Sequence, residues 1–391
     1  MLKSELDTPA LLVDLDQMQA NIARIAQTCR AHGVAWRPHA KASKTVEIVR
    51  MELAAGAIGI TCAKLGEAEV MAAAGIRNIL IANQIVGRVK IARLMALLDH
   101  AEVIVAIDNP ANLAQLSAAA QEARKTLGVV IEVNIGMNRA GVEPGAPVVA
   151  LAGMVMNYQS LRLAGLMGWE SHAVTIADQD EKAKAVARAI GSLTASAAAC
   201  REAGHGIEIV SCGGTGTFPY CAQQPGVTEV EVGGAIFSDE HYRTHYQCDF
   251  PCALTILATV TSRPNPARIV LDAGKKAMSS DAALPRALNL NNVRSLRLSA
   301  EHTTIELDSQ SDWPRIGDKV ELVVGYSDTT VHLHEQIVAV RSDRVEAIWN
   351  VAARGKIRYA HSGIEVTKYS GHIGNTFRLL RESANAVAGV L

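Results

Sequence analysis

A (β/α)8 TIM-type barrel followed by a mainly-β C-terminal domain is the architecture the sequence predicts, and three observations predict it. Short β-rich runs alternate with helix-period segments up to about residue 243. The alternation passes through eight such runs, the arithmetic of a closed barrel. Beyond about residue 244 strand-and-turn patterns follow one another with few helices between them. A doubly wound open sheet stops at five or six strands and carries GxGxxG after the first; neither holds here.

ALLVDL at 10–15 precedes the eight runs and has no barrel slot, so residues 1–15 are expected to pack with the β-domain. The barrel, 16–243, takes its strands from VAW at 34–36, AIGITCA at 57–63, NILIAN at 78–83 and EVIVAID at 102–108. VVIEVNI at 129–135, LRLAGLMGW at 161–169, IEIVS at 207–211 and VTEVEV at 227–232 complete the series. Between them VKIARLMALL, NLAQLSAAAQEARKTL and DEKAKAVARAIGSLTASAAACREAG repeat apolar residues at i, i+3, i+4 and predict helices. Gly33, Gly75 and Gly204 close helices where a left-handed residue is easiest. In the second domain, 244–358, CALTILATVTSR, ARIVLDAG, KVELVVG, VHLHEQIVAVR and RVEAIWNVAARG read as strands. The extension 359–391 ends in NTFRLLRESANAVAGVL, which predicts a terminal helix.

The totals set bounds on function. A formal net charge of −1 gives no electrostatic footprint for nucleic acid or a membrane surface. No uncharged apolar stretch approaches the ~18–20 residues of a spanning helix. The start, MLKSELDTPALLVDLD, carries acids where a leader needs a basic region. Seven cysteines, odd in number and mostly in apolar runs, predict reduced thiols and a cytoplasmic protein.

Barrels gather reactive groups at the C-terminal ends of their strands. Within RPHAKASK, His39 and Lys41 follow the first run, with Lys44 about one helical turn further on. Arg139 follows the fifth run, and Trp169, Glu170 and His172 follow the sixth. SCGGTGT follows the seventh: its small residues let backbone N–H groups approach a phosphate, and Thr215 and Thr217 add hydroxyls. Gly233 and Gly234 follow the eighth, beside the usual phosphate position of a barrel. A lysine across the mouth from a phosphate anchor points to pyridoxal 5'-phosphate, whose aldehyde condenses with an amine.

Taken in order, TPALLVDLD, RPHAKASK, NRAGV, CGGTGT and DAGKKA resemble the D-threonine aldolase and D-serine dehydratase group of alanine-racemase-type, fold-type III pyridoxal phosphate enzymes. The resemblance spans roughly residues 6–356. It implies a barrel, a β-domain, a homodimer and a small amino-acid substrate. It implies that Lys41 is the Schiff-base residue and that Arg139 contacts the cofactor's phenolic oxygen. On the same resemblance Gly214, Thr215 and Gly216 would hold the phosphate with Gly233 and Gly234, His39 would support the loop, and Trp169 would pack on the ring.

Two departures from the group stand out. A divalent-metal stretch resembling GHCDPT reads GYSDTT here, with Tyr326 in the histidine's place and Asp328 in the acid's. A neutral phenol, pKa near ~10, is a poor ligand for Mg²⁺, Mn²⁺ or Zn²⁺. His332 and His334, on one face of the expected strand, are the candidates to complete that set. The second is at Glu170, where aldolases of the group have a histidine; Glu170 or His172 would then act as base. A separate cluster, Asp239, His241, His245, Cys248 and Cys252, has zinc-type ligands at no standard spacing. Three functions stay open: a lyase (aldolase or dehydratase) on a β-hydroxy-D-amino acid, a metal-independent racemase using Lys41 with Tyr326 or Glu170, and a non-catalytic cofactor carrier.

Overall fold

The computed structural model describes residues 1–357, and the expected helix at 375–391 lies outside them. Strands run in chain order as β1 (Ala10–Asp14), β2 (Ala35–Trp36), β3 (Ile60–Cys62), β4 (Asn78–Gln84), β5 (Glu102–Ile107) and β6 (Leu127–Glu132). β7 (Leu161–Met167), β8 (Ile209–Cys212) and β9 (Glu229–Val230) follow. The principal helices among them are α1 (Leu15–Ala31), α2 (Val46–Ala54), α3 (Leu65–Ala73), α4 (Arg88–Leu97), α5 (Pro110–Glu122), α6 (Ala146–Met156) and α7 (Gln179–Glu202). Short helices α8 (Phe218–Cys221) and α9 (Glu240–His245) flank β9.

Parallel pairing gives the order β2-β9-β8-β7-β6-β5-β4-β3. The ring closes where the chain after β2 meets β3: a parallel bridge joins His39 to Thr61, and the Ala40 amide donates to the Thr61 carbonyl at 2.8 Å. Alternate strand residues separate two apolar clusters, as a period of two requires. Leu80, Ile104, Ala106, Val130, Ala164 and Met167 form a small cluster apart from Ile79, Val105, Val129 and Ile131. The latter set packs with helix residues such as Leu94, Leu116 and Val155, which places the small cluster inside the barrel.

The second sheet comprises β1 with β10 (Leu254–Asn265), β11 (Arg268–Leu271), β12 (Arg286–Ala287), β13 (Val293–Leu298), β14 (Thr303–Leu307), β15 (Lys319–Val323), β16 (Gln336–Arg341) and β17 (Arg344–Asn350). β1 lies between β10, antiparallel, and β16, parallel. Asp14 ends β1 and caps α1 by accepting the Gln17 amide at 3.0 Å, so the chain passes from one sheet to the barrel without a linker. Asn21 ties α1 to the segment after β9, donating to the carbonyls of Ile236 (3.0 Å) and Pro251 (2.8 Å). Residues 1–357 form one compact unit.

The run VHLHEQIVAVR is a strand only in its second half. Its first residue closes a one-turn helix, α10 (Ser327–Val331), and β16 begins at Gln336. Ser, Asp and Thr favour turns, and here Asp239 accepts the Ser327 amide at 2.7 Å while the Thr330 hydroxyl accepts the Ser279 amide at 3.1 Å. His332 and His334 therefore do not share a strand face.

Candidate active site

A cavity of about 500 Å³ opens at the C-terminal ends of the barrel strands and receives Tyr326 from the loop between β15 and α10. Of the two lysines in RPHAKASK, Lys41 lines it, whereas Lys44 turns away into a buried ion pair with Glu67. The Lys41 ammonium lies 3.8 Å from an Asp328 carboxylate oxygen and 5.3 Å from the Trp169 ring centroid. His39 accepts the Lys41 amide through Nδ1 at 3.4 Å. Burial, and the charges of Lys41 and Lys44 after it, hold that imidazole well below its ordinary pKa. Arg139 covers the same indole at 5.5 Å and faces Glu132 at 3.7 Å. Glu132 is oriented by Gln84, which donates to it at 2.6 Å.

Opposite the lysine, the segment 213–216 and Gly233–Gly234 form a cradle that side chains would fill. A Cβ at Gly214 would stand 3.0 Å from Trp169 Nε1, and one at Gly216 3.0 Å from the Tyr246 ring. At Gly233 it would collide with the His39 carbonyl, and at Gly234 with the Tyr242 hydroxyl. Among the described residues no acceptor takes the amides of Thr215, Gly216 or Gly233. Converging free amides in a glycine-lined concavity are the device by which backbone binds a phosphate. Lysine, arginine and cradle together fit pyridoxal phosphate.

Glu170 is not on the cavity wall. It is fully buried beneath the cradle, where it accepts the Thr217 hydroxyl and, at 3.3 Å, the Gly213 amide. The residue read as a base thus anchors the glycine-lined loop, its oxygens already committed. Removing one partner of a charged buried hydrogen bond costs about 1.5–3 kcal/mol. Glu170→Gln is therefore expected to weaken cofactor binding about 10- to 100-fold, measured by fluorescence titration. Glu170→Gln with unaltered affinity would remove the anchor role. His172 is exposed, packs on Gly136 and does not line the cavity.

The donor set does not fit a divalent ion. Asp328 accepts the Tyr242 hydroxyl at 3.1 Å and faces Lys41. Burial, then the Asp328 charge, push the Tyr326 phenol far up, so it stays neutral. His334 contacts the Ala277 carbonyl at 2.6 Å through Nε2. The proposed zinc cluster does not converge either: Asp239 caps α9 through the Tyr242 amide, and the Cys248 thiol donates to the Thr215 carbonyl at 3.4 Å. Among the described residues no group of three or more His, Cys, Asp or Glu is placed to hold a metal. His241 instead joins Tyr242, Tyr246 and Tyr326 in an aromatic wall, its ring 4.7 Å from Tyr246 and 5.1 Å from Tyr326.

Glu132, Glu231 and Tyr242 line the cavity and were not foreseen. Glu132 carried a signal, as the one charge in VVIEVNI; Glu231 shares VTEVEV with Glu229, and nothing local ranks the two.

Comparison with known proteins agrees with this geometry. The family described as "Alanine racemase, N-terminal domain" matches residues 13–241, and "Putative serine dehydratase domain" matches 253–340. A D-threonine aldolase from an Arthrobacter species is 35% identical over 356 residues, covering 90% of this chain and 94% of that protein. A 3-hydroxy-D-aspartate aldolase from Paracoccus denitrificans is 35% identical over 366 residues, with the same 90% and 94% coverage. The crystal structure of D-threonine aldolase from Filomicrobium marinum superposes with a TM-score of 0.87 at 36% identity, covering 91% of this chain and 98% of that one.

Proposed function

The chain belongs to the alanine-racemase-type family of D-threonine and hydroxyaspartate aldolases and dehydratases, and from that premise we propose that it cleaves a β-hydroxy-D-amino acid by a retro-aldol reaction. One observation carries the proposal: Lys41, on the cavity wall after β2, and Asp328, on α10 of the β-domain, face each other at 3.8 Å. The residues suit pyridoxal phosphate, with the cradle at 214–216 and 233–234 for its phosphate, Arg139 for its phenolic oxygen and Lys41 for covalent attachment. When bound, the cofactor supplies an electron sink for negative charge at the substrate Cα.

The protein's own part is acid–base work. Asp328, oriented by the Tyr242 hydroxyl, takes the proton of the substrate β-hydroxyl as the Cα–Cβ bond breaks and the aldehyde leaves. Lys41 returns a proton to Cα, which gives glycine. The aromatic wall and Trp169 restrict water at the reacting carbon. Entry of β-domain residues into the cavity supports an enzyme over a carrier. The homodimer implied by the motif resemblance is part of the same proposal.

A racemase is the second reading, favoured by the neutral Tyr326 phenol that shares the cavity with Lys41 and would protonate the opposite face of Cα. Incubating the cofactor-loaded protein with D-threonine, D-serine and D-3-hydroxyaspartate, with and without EDTA, separates the readings. Aldehyde and glycine at an EDTA-insensitive rate are the expected products. A 2-oxo acid with ammonia would mean dehydration, the opposite enantiomer racemisation, and no product at all a carrier.

A further inference from the structure

We infer that Glu231 is the residue that meets the ring nitrogen of the bound cofactor and holds a proton on it. The inference rests on the reading that the cavity takes pyridoxal phosphate at Lys41. That ring has four polar features: the aldehyde carbon, the phosphate arm beside it, the phenolic oxygen on its other side, and the nitrogen opposite the aldehyde. Lys41, the glycine cradle and Arg139 answer the first three, which leaves the nitrogen.

Two carboxylates line the cavity, Glu132 and Glu231, and a third, Asp328, meets it through Lys41; Glu132 and Asp328 are engaged. Glu132 takes the Gln84 amide and faces Arg139, while Asp328 takes the Tyr242 hydroxyl and faces Lys41. In Glu231, which lines the cavity, only Oε1 has a partner, the Ser211 hydroxyl at 2.8 Å; Oε2 has none among the described residues. Asn83, the other uncharged amide on this wall, spends its donor on the Ala63 carbonyl at 3.0 Å.

Glu231 is also held rigidly in the right neighbourhood. Its amide donates to the Cys212 carbonyl at 3.0 Å, next to the cradle, and its carbonyl accepts the His39 amide at 3.2 Å, next to the lysine. Burial, with the neighbouring Glu229 adding to it against the Ser211 hydrogen bond, raises the carboxyl to about 7. Near neutrality such an acid has a proton to give. Passing it to the ring leaves a carboxylate that accepts a hydrogen bond from the N–H, and a positively charged ring withdraws electrons more strongly.

The test reconstitutes the protein with pyridoxal phosphate carrying ¹⁵N in the ring and follows that resonance at pH 7. Borohydride reduction and peptide mapping on the same sample establish attachment at Lys41. The wild-type nitrogen is expected at the protonated, upfield position. Glu231→Gln should move it downfield to the unprotonated position, lower kcat about 100-fold and leave Lys41 labelling intact. Glu231→Asp, which keeps an acid, should keep a protonated fraction. An unprotonated nitrogen in wild type overturns the assignment without need of any variant, and a protonated one in Glu231→Gln does the same. Loss of the Lys41 label in wild type would instead sink the cofactor reading beneath it.

Discussion

Lys41→Ala is expected to lower turnover at least about 10⁴-fold, because one side chain supplies both the nucleophilic amine and the proton transfer at Cα. Its neighbour provides the control. Lys44 is three residues on, carries the same charge and is committed to buried Glu67, outside the cavity. Lys44→Met should therefore lower stability while the enzyme that remains folded turns over at a near-normal rate. A steady-state assay of both variants, normalised to folded protein by circular dichroism, distinguishes them. Comparable activity in Lys41→Ala and wild type would end the catalytic proposal.

The largest effect on stability is expected at Arg37→Met. Arg37 and Glu229 are each 2% exposed and join the start and end of the barrel. Arg37 Nε and Nη2 donate to the two Glu229 oxygens at 2.9 and 3.0 Å, and Nη1 donates to Asn78 at 2.6 Å. Removing one partner of a buried pair strands the other charge in a poor solvent, at about 3–5 kcal/mol. Replacing both with apolar side chains strands nothing, so Arg37→Met with Glu229→Leu should recover most of the loss. Urea unfolding of the two variants reads the difference. A single variant as stable as wild type would show that the pair is water-compensated.

The barrel was legible because parallel strands buried on both faces must be continuous apolar runs, and eight such runs leave few alternatives. Lys41 was legible from its place at a strand end. Orientation was not. After LRLAGLMGW a Glu that faces the mouth and one that turns under the next loop have the same local sequence. Thr217, 47 residues later, decides for the second at Glu170. The same local ambiguity holds for His172, which packs on Gly136 and does not line the cavity. Around 327–334 the alternation VHLH suggested a strand, but the turn-forming Ser327–Thr330 won, aided by Asp239 from a distant part of the chain. Glu132 stood in plain view as the one charge in VVIEVNI, whereas Glu231 alternates with Glu229 in VTEVEV. Which parity faces the cavity depends on strand register, which no local pattern contains. The metal question turned on Tyr326 in both readings, and the fold adds that Asp328 already serves Tyr242 and Lys41.

Cofactor attachment at one nitrogen can be read directly. The protein is reconstituted with pyridoxal phosphate, reduced with borohydride, digested and mapped by mass spectrometry. The reduced pyridoxyl group should appear on the peptide bearing Lys41 and on no other lysine, Lys44 and Lys64 included. A label on a different peptide, or no uptake of the cofactor after reconstitution, would contradict the account at its root.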